Sequence, residues 1–342
     1  MALSGKIPAV YSLLAVVVIM GIAGLAQQAV WGRAVAWIVI PYAALAIFLV
    51  GFCYQVLRWA VSPVPFRIPT TCAQQKSLPW IKSGRIDNPS TLQGVLARMG
   101  LEILLFRSLF RNNGAKLHEK RLVVSESRWL WLAALAFHWS LLIILIRHLR
   151  LLVEPVPAFL LRIERVDGFF QVGVPPIYLS DVIFACGLAY LVVRRLRDPV
   201  IRYISQFSDY FAVFLLAGAA ITGLLMRYVT RVDVVSIKQF ALGLVTFHPV
   251  LSPALGLMFA THLAVVSSLA IYFPFSKLMH LGGAFLSPTR NLANNNRAKR
   301  HINPWNYPVK THSYREWEEE FHDKLEAAEI PLEAEHARAS AD

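Results

Sequence analysis

The sequence predicts an all-α membrane protein, a six-helix transmembrane bundle with a basic cytoplasmic loop and a cytoplasmic C-terminal tail. Three observations carry that reading. Of 342 residues, 56% are hydrophobic and only 16% charged, against roughly 45–50% and about 25% in soluble domains. The apolar residues gather into runs of about 18–27, enough to cross a hydrocarbon core about 30 Å thick. Positive charge sits in alternate connections between those runs. The composition also excludes disordered, collagen-like and disulfide-scaffold chains. A formal net charge of +13 would suggest nucleic acid in a soluble protein. In a chain this apolar it reads as loop charge, and no nucleic-acid partner is expected.

Residues 1–60 hold two spans, roughly 8–28 and 35–59. Lys6 followed by an apolar run has the look of a signal peptide. No small-residue cleavage site stands out around Gly24 to Gln27, however, and a second apolar run follows at once, so the first is read as a retained helix. Residues 61–128 form a basic cytoplasmic loop with eleven Lys/Arg against four acids. Within it, residues 91–112 alternate Leu92, Val95, Leu96, Met99, Ile103, Leu104 and Phe110 with Arg98, Arg107 and Arg111. This pattern predicts an amphipathic helix on the inner membrane surface or under a partner subunit. A basic loop held by anionic membrane lipid is the other reading.

Residues 129–282 hold four more spans, roughly 129–152, 177–194, 208–228 and 251–277. Arg194, Arg195, Arg197 and Arg202 oppose only Asp198 after the fourth span, and 277–310 carries six Lys/Arg and no acid. The opposite connections hold only Arg33, Arg162, Arg165, Arg231 and Lys238. The positive-inside rule then places both termini in the cytoplasm, in a multi-pass protein of the cytoplasmic (inner) membrane. Residues 283–342 read as a partner-binding tail that turns acidic at Glu316, Glu318, Glu319 and Glu320. No internal repeat suggests the paired halves of a transporter.

Three separated cysteines, Cys53, Cys72 and Cys186, form no CxxC or CxxCH, so a metal centre must rest on histidine or carboxylate. Ten histidines are present, and their placement is informative. His138 and His148 lie in span three, His262 in span six, and His280 at that span's cytoplasmic end. Ionisable groups in hydrocarbon are functional hypotheses by default, although a lone imidazole often only hydrogen-bonds a neighbouring helix. His138 and His148 are ten residues apart, about 15 Å of helical rise. Spans three and six are antiparallel in the deduced topology, so His148 shares an outer depth with His262, and His138 an inner depth with His280. Two imidazoles at one depth are what a low-spin b-type haem needs. Two haems b stacked across the bilayer follow, with the four histidines as iron ligands.

One spacing resists an ideal helix. His262 to His280 is eighteen residues, about 27 Å, so the two ladders differ by about 12 Å. Tilt and a bend at Pro274 would absorb part of this. His248 and His262, fourteen apart, are a competing pair, but Pro249 and Pro253 place His248 at the outer surface. His118, His301, His312, His322 and His336 fall in polar segments and read as solvated.

The stretches Phe137-His138-Trp139, Ile146-Arg147-His148-Leu149, Thr261-His262-Leu263 and Phe273-Pro274-Phe275-Ser276-Lys277-Leu278-Met279-His280 resemble the cytochrome b (gamma) subunit of respiratory nitrate reductase. Arg194-Arg195-Leu196 and Val245-Thr246-Phe247-His248 match its pattern too. The resemblance covers roughly 129–300 and implies four haem-ligating histidines paired as above. The two leading spans, the basic loop and Arg300-His301-Ile302-Asn303-Pro304-Trp305-Asn306 depart from it. Those features resemble the membrane cytochrome of Dsr (sulfite-reduction-associated), Hdr-like menaquinol oxidoreductase complexes.

That resemblance implies a subunit of an oxidoreductase, not catalytic alone, passing electrons between menaquinol and a cytoplasmic iron–sulfur subunit related to heterodisulfide reductase. It further implies a second integral membrane subunit and extracytoplasmic ferredoxin-like and multihaem cytochrome c subunits. A nitrate-reductase-type quinol-oxidising cytochrome and a haem-free membrane anchor are the alternatives. For the quinone, Asp181 and Lys238 are candidates beside Arg147. Asp181 reads equally as a helix N-terminal carboxylate favoured by the macrodipole. Lys277, one turn from His280, and Arg147, with Arg150 and Arg227, are candidates for haem propionates, although arginines near a boundary also snorkel to headgroups. Trp129, Trp131 and Trp139 fit an interfacial belt.

Overall fold

The computed structural model describes residues 6–62, 73–110, 114–118, 120–125, 127–170, 173, 175–252, 254–296, 308, 310–330 and 332; of the 114–125 side chains, only those of Lys120 and Arg121 are described. Cys72, Asn112, His301, His336 and the 300–306 motif lie outside the described residues, as does the side chain of His118. The chain divides into two compact units, Met1–Ala298 and Lys299–Asp342.

Five helices of the first unit are long and apolar enough to cross a membrane. Helix α1 is Ile7–Ala26 and α2 is Val30–Ala60. The latter runs through Pro41, whose missing N–H removes one rung of the ladder. A wide π turn at Val35–Val39 takes up the defect. Helix α3 (Leu92–Leu105) begins where Thr91 Oγ1 accepts the N–H of Gly94 at 3.3 Å. It ends at Phe106, which is left-handed at φ 49°, a conformation costing a non-glycine residue about 1–2 kcal/mol. The predicted amphipathic helix therefore stops short of residue 112.

Next comes an antiparallel hairpin, β1 (Gly114–His118) and β2 (Arg121–Ser125). This short hairpin interrupts an otherwise all-helical chain, in line with the expected all-α class. Helix α4 (Arg128–His148) carries the first two histidines and continues as a tighter turn to Leu151. Helix α5 (Ala158–Asp167) lies in the following connection.

Helix α6 (Leu179–Arg197) stands where the fourth span was expected. Its length suffices, but Asp181 at one end and Arg194, Arg195 and Arg197 at the other keep it out of the five apolar spans. Helix α7 (Phe207–Val229) ends in a second π turn, Leu225–Val229. Helix α8 (Val234–Val245) is capped by Asp233, which accepts from the N–H groups of Val235 at 3.0 Å and Ser236 at 3.2 Å.

Helix α9 (Leu257–Tyr272) carries His262. Pro274 then sits in a tight turn, Ser276 is extended at ψ 172°, and a fresh helix α10 (His280–Leu286) starts at the last histidine. The single helix assumed between His262 and His280 is thus corrected. Proline ends it, so the rise of one ideal eighteen-residue helix does not apply between these two histidines. In the second unit, α11 (Tyr314–Ala327) is closed by a capping box between Ser313 and Glu316.

Three clusters hold the first unit together. Trp37 of α2 meets Phe240 of α8 and Phe259 of α9 edge-on, at 5.9 and 5.4 Å. Val16, Leu215 and Val265 join α1, α7 and α9 at mid-bundle. Phe137 of α4 stacks on Phe184 of α6 at 5.1 Å, with Leu188 beside them. Gly187 permits that approach, because a Cβ there would lie 3.2 Å from the Phe137 backbone nitrogen. On the periphery, Leu14, Val17, Val18, Ile22 and Leu25 of α1 are more than half exposed. Apolar surface on that scale belongs in lipid, and the chain is a multi-pass membrane protein.

Candidate functional site

Of the two histidine pairs expected by depth, His138 and His280 are in ring contact. The rings of His138 (α4) and His280 (α10) have centroids 6.0 Å apart and planes at 86°. His148 and His262 are close enough for their charges to interact. Helix α4 packs along α6, whereas α9 packs on α1, α2 and α7. Helices α4 and α9 thus have different main packing partners. Among the described residues no three His, Cys, Asp or Glu gather at one point.

Each imidazole is held by its Nδ1. His138 Nδ1–H donates to the Ala134 carbonyl at 2.7 Å, His148 to Ile144 at 2.7 Å, and His280 to Lys277 at 2.8 Å. A carbonyl can only accept, so the proton is on Nδ1 in all three and Nε2 is the bare nitrogen. His262 reaches the same state by another route. Thr222 on α7 is 1% exposed and gives its hydroxyl proton back to the Gly218 carbonyl at 2.7 Å. Its oxygen is left to accept Nδ1–H of His262 at 2.9 Å. Thr222 escaped the sequence reading because a threonine in an apolar helix ordinarily only back-bonds to residue i−4.

Competing candidates fall elsewhere. His248 turns Nδ1 to its own Thr246 carbonyl at 2.7 Å, and no described contact takes it to another of these histidines. Lys277 serves His280 through its carbonyl, while its ammonium pairs with Asp209 at 2.7 Å. Trp131 and Trp139 give their indole N–H groups to the Leu105 and Leu104 carbonyls, at 2.7 and 3.0 Å.

Around His148 lies a polar network larger than the sequence suggested. Arg147 does not snorkel. Its side chain is 10% exposed, 3.0 Å from Asp167 and in direct ion pair with Asp181, and its guanidinium lies 3.7 Å from the Tyr178 ring centre. Arg227 covers the same ring at 4.0 Å, so Tyr178 is held near two arginines. Asp167 accepts the N–H of Ser180 at 2.7 Å and its hydroxyl at 2.6 Å, and Tyr228 donates to Asp181 at 2.7 Å. Glu164 pairs with Arg150 and takes the Tyr178 hydroxyl.

Arg147 and Arg150 thus pair with the three carboxylates, Glu164, Asp167 and Asp181, and Arg227 joins them through the Tyr178 ring. Asp167, Tyr178 and Tyr228 were not singled out from sequence. Asp181, with Tyr228, also lines an open apolar groove of ≈ 400 Å³ between α6 and the end of α7. Lys238 instead pairs with Glu154, and no described contact joins it to that groove.

The profile of the family described as nitrate reductase gamma subunit matches residues 111–298. A relative from Archaeoglobus fulgidus, the Hdr-like menaquinol oxidoreductase cytochrome b-like subunit, is 43% identical over 275 residues, 78% of this chain and 82% of its own. The chain belongs to the nitrate reductase gamma subunit family. Within that family its curated relatives are the Hdr-like type. The Archaeoglobus profundus protein of the same description is also 43% identical, over 273 residues.

Proposed function

We propose that this chain is the dihaem b membrane subunit of a menaquinol oxidoreductase, with His138/His280 and His148/His262 as two pairs of axial ligands. The observation that carries the reading is the 6.0 Å between the His138 and His280 rings. Iron held by one nitrogen of each ring at about 2 Å, with about 1.1 Å from nitrogen to ring centre, would set the centres roughly 6.2 Å apart. All four Nδ1 atoms are engaged, which aims Nε2 and fixes each ring, as outer hydrogen bonds do for metal ligands. The donor set and its spacing therefore fit b-type haem. Bound there, haem would supply one-electron transfer along the bundle.

The chain's own residues do the rest. Arg147 follows the α4 helix to the position beside His148, and with Lys277 it remains our candidate for propionate contacts. The groove lined by Asp181 and Tyr228 is almost wholly apolar, which suits the isoprenoid tail of a quinol. A quinol gives up two protons as it gives up two electrons. Asp181 would take one, directly or through the Tyr228 hydroxyl, and water the other, while Arg147 limits the charge change at the carboxylate. The Lys/Arg-rich connections would lie in the cytoplasm, with α6 as a sixth span and menaquinol oxidised at the outer end. Electrons then leave toward a cytoplasmic iron–sulfur subunit in sulfur-compound respiration. A second membrane subunit and extracytoplasmic multihaem cytochrome c and ferredoxin-like subunits complete the assembly.

Haem stoichiometry by pyridine haemochrome tests the core of this. We expect two haems b in the purified protein, with His148→Ala and His280→Ala each losing a different one. No haem from a folded, haem-supplied preparation would return the chain to a membrane anchor. Co-purification with an iron–sulfur subunit that lacks molybdenum separates the Hdr-like reading from the nitrate-reductase type.

A further inference from the structure

The segment 73–110 touches both arms of the His138/His280 pair. At one end Phe106, left-handed, places its ring edge-on to the His138 imidazole at 5.0 Å. That placement is secured by the Trp131 and Trp139 indoles, which hold the last two carbonyls of α3. At the other end Arg98, 4% exposed, donates to the carbonyls of Arg290 at 2.8 Å and Leu292 at 3.3 Å, just beyond α10, and to Asp87 at 3.3 Å. Asn294 is fully buried. It gives its backbone N–H to Pro89 at 2.7 Å and its amide to Asn88, which in turn reaches the Ala73 carbonyl at 2.9 Å. One stretch of chain outside the spans is thus fastened to the helix carrying His138 and to the strand leaving His280.

We propose that this segment is a clamp for the haem between those two histidines, with Phe106 as the positioning residue that sets the His138 ring plane and keeps water from it. The inference rests on the dihaem reading. An imidazole with Nδ1 fixed still librates about its Cβ–Cγ bond, and an aromatic edge against its face limits that motion. The backbone strain at Phe106 is consistent with a position dictated by the contact rather than by local preference. Closing the site to water favours the less charged ferrous state and so raises the midpoint potential, burial being one of the protein's levers on a haem.

The test is redox titration with low-spin EPR on the purified full-length protein, comparing wild type with Phe106→Ala, Phe106→Leu and Trp131→Phe. We expect Phe106→Ala to retain both haems, to lower the potential of one, and to shift that haem's gmax away from the value set by near-perpendicular rings. Phe106→Leu should restore most of both signals, and Trp131→Phe should reproduce the shift in part. The haem that moves must be the one lost in His138→Ala. Potentials and spectra unchanged in Phe106→Ala would overturn the clamp. If that variant does not accumulate, an unchanged potential and spectrum in Trp131→Phe would do so. A His138→Ala protein that keeps two haems would sink the His138/His280 ligand assignment on which the clamp rests, so the two failures are distinguishable.

Discussion

Replacing Thr222 by Val tests the chain of hydrogen bonds behind His262 at a residue that touches no iron. Valine keeps the shape but removes the oxygen that accepts Nδ1–H at 2.9 Å. Two independent estimates give the size. An enclosed donor left without an acceptor costs about 1–3 kcal/mol. Loss of an outer hydrogen bond to a ligating imidazole costs about 10–100-fold in affinity, which at about 1.4 kcal/mol per tenfold is about 1.4–2.8 kcal/mol. The two agree. We therefore expect the haem of the His148/His262 pair to transfer to an apo-globin scavenger about 10–100-fold faster in Thr222→Val, followed by absorbance. The other haem should be unaffected, and Thr222→Ser, which keeps the oxygen, should behave as wild type. Equal loss rates in the Val and wild-type proteins would refute the argument. So would equal acceleration of both haems, because that reports general loosening of the bundle.

Other perturbations act at separate points. Gly51→Val puts a Cβ 2.7 Å from the Pro274 ring, an overpacking worth about 1–3 kcal/mol; haem content should fall from two toward one as the turn before His280 shifts. Asp181→Asn keeps both haems but removes the proton acceptor at the groove, and general-base loss of about 10²–10⁴ in rate should appear in menaquinol oxidation by the assembled complex. The backbone N–H of Ser313, followed by its hydroxyl, holds the Glu316 carboxyl below its usual range. That cap stabilises α11 fully above the ordinary carboxylate pKa, and the contribution is lost as pH falls through the lower folded-state value. Hydrogen-exchange protection of the first turn of α11 should fall with pH over that acidic window in the wild type, and not in Glu316→Gln.

The apolar runs and the histidines within them were legible because each depends on one helix at a time. A run of apolar residues needs no partner to be recognised, and an imidazole within it is conspicuous. The His262–His280 spacing misled because eighteen residues were laid on a single helix, whereas Pro274 ends one helix and Ser276 starts another turn. Helices α5 and α8 were invisible as elements, since they lie in connections without a long apolar run. The network around Arg147 was illegible for a different reason. Its members come from α4, α5, the start of α6 and the end of α7, and each alone looks like a charged or aromatic residue at a membrane boundary. Tyr228 lies in the π turn of α7, where ordinary helical spacing does not predict the facing residue.

The same network explains why the two ends of the bundle are built differently. If menaquinol is oxidised at the His148/His262 end, as we propose, protons as well as electrons are handled there, and a buried carboxylate that accepts a proton changes the local charge by one. Arg147 and Arg150 pair with the three carboxylates, so that change is spread over several ion pairs rather than borne by Asp181 alone. Arg147 touches two of those carboxylates and the Tyr178 ring at once, a geometry that a planar guanidinium satisfies and an ammonium does not. At the His138/His280 end the ion pairs are those of Asp209 with Lys277 and Arg195, and the imidazoles are held by the Ala134 and Lys277 carbonyls and by the Phe106 ring. An electron leaving there needs a short, dry path, and rigid aromatic and backbone contacts provide one without titrating. The chemistry asked of each end thus accounts for the kind of side chain that supports its histidines.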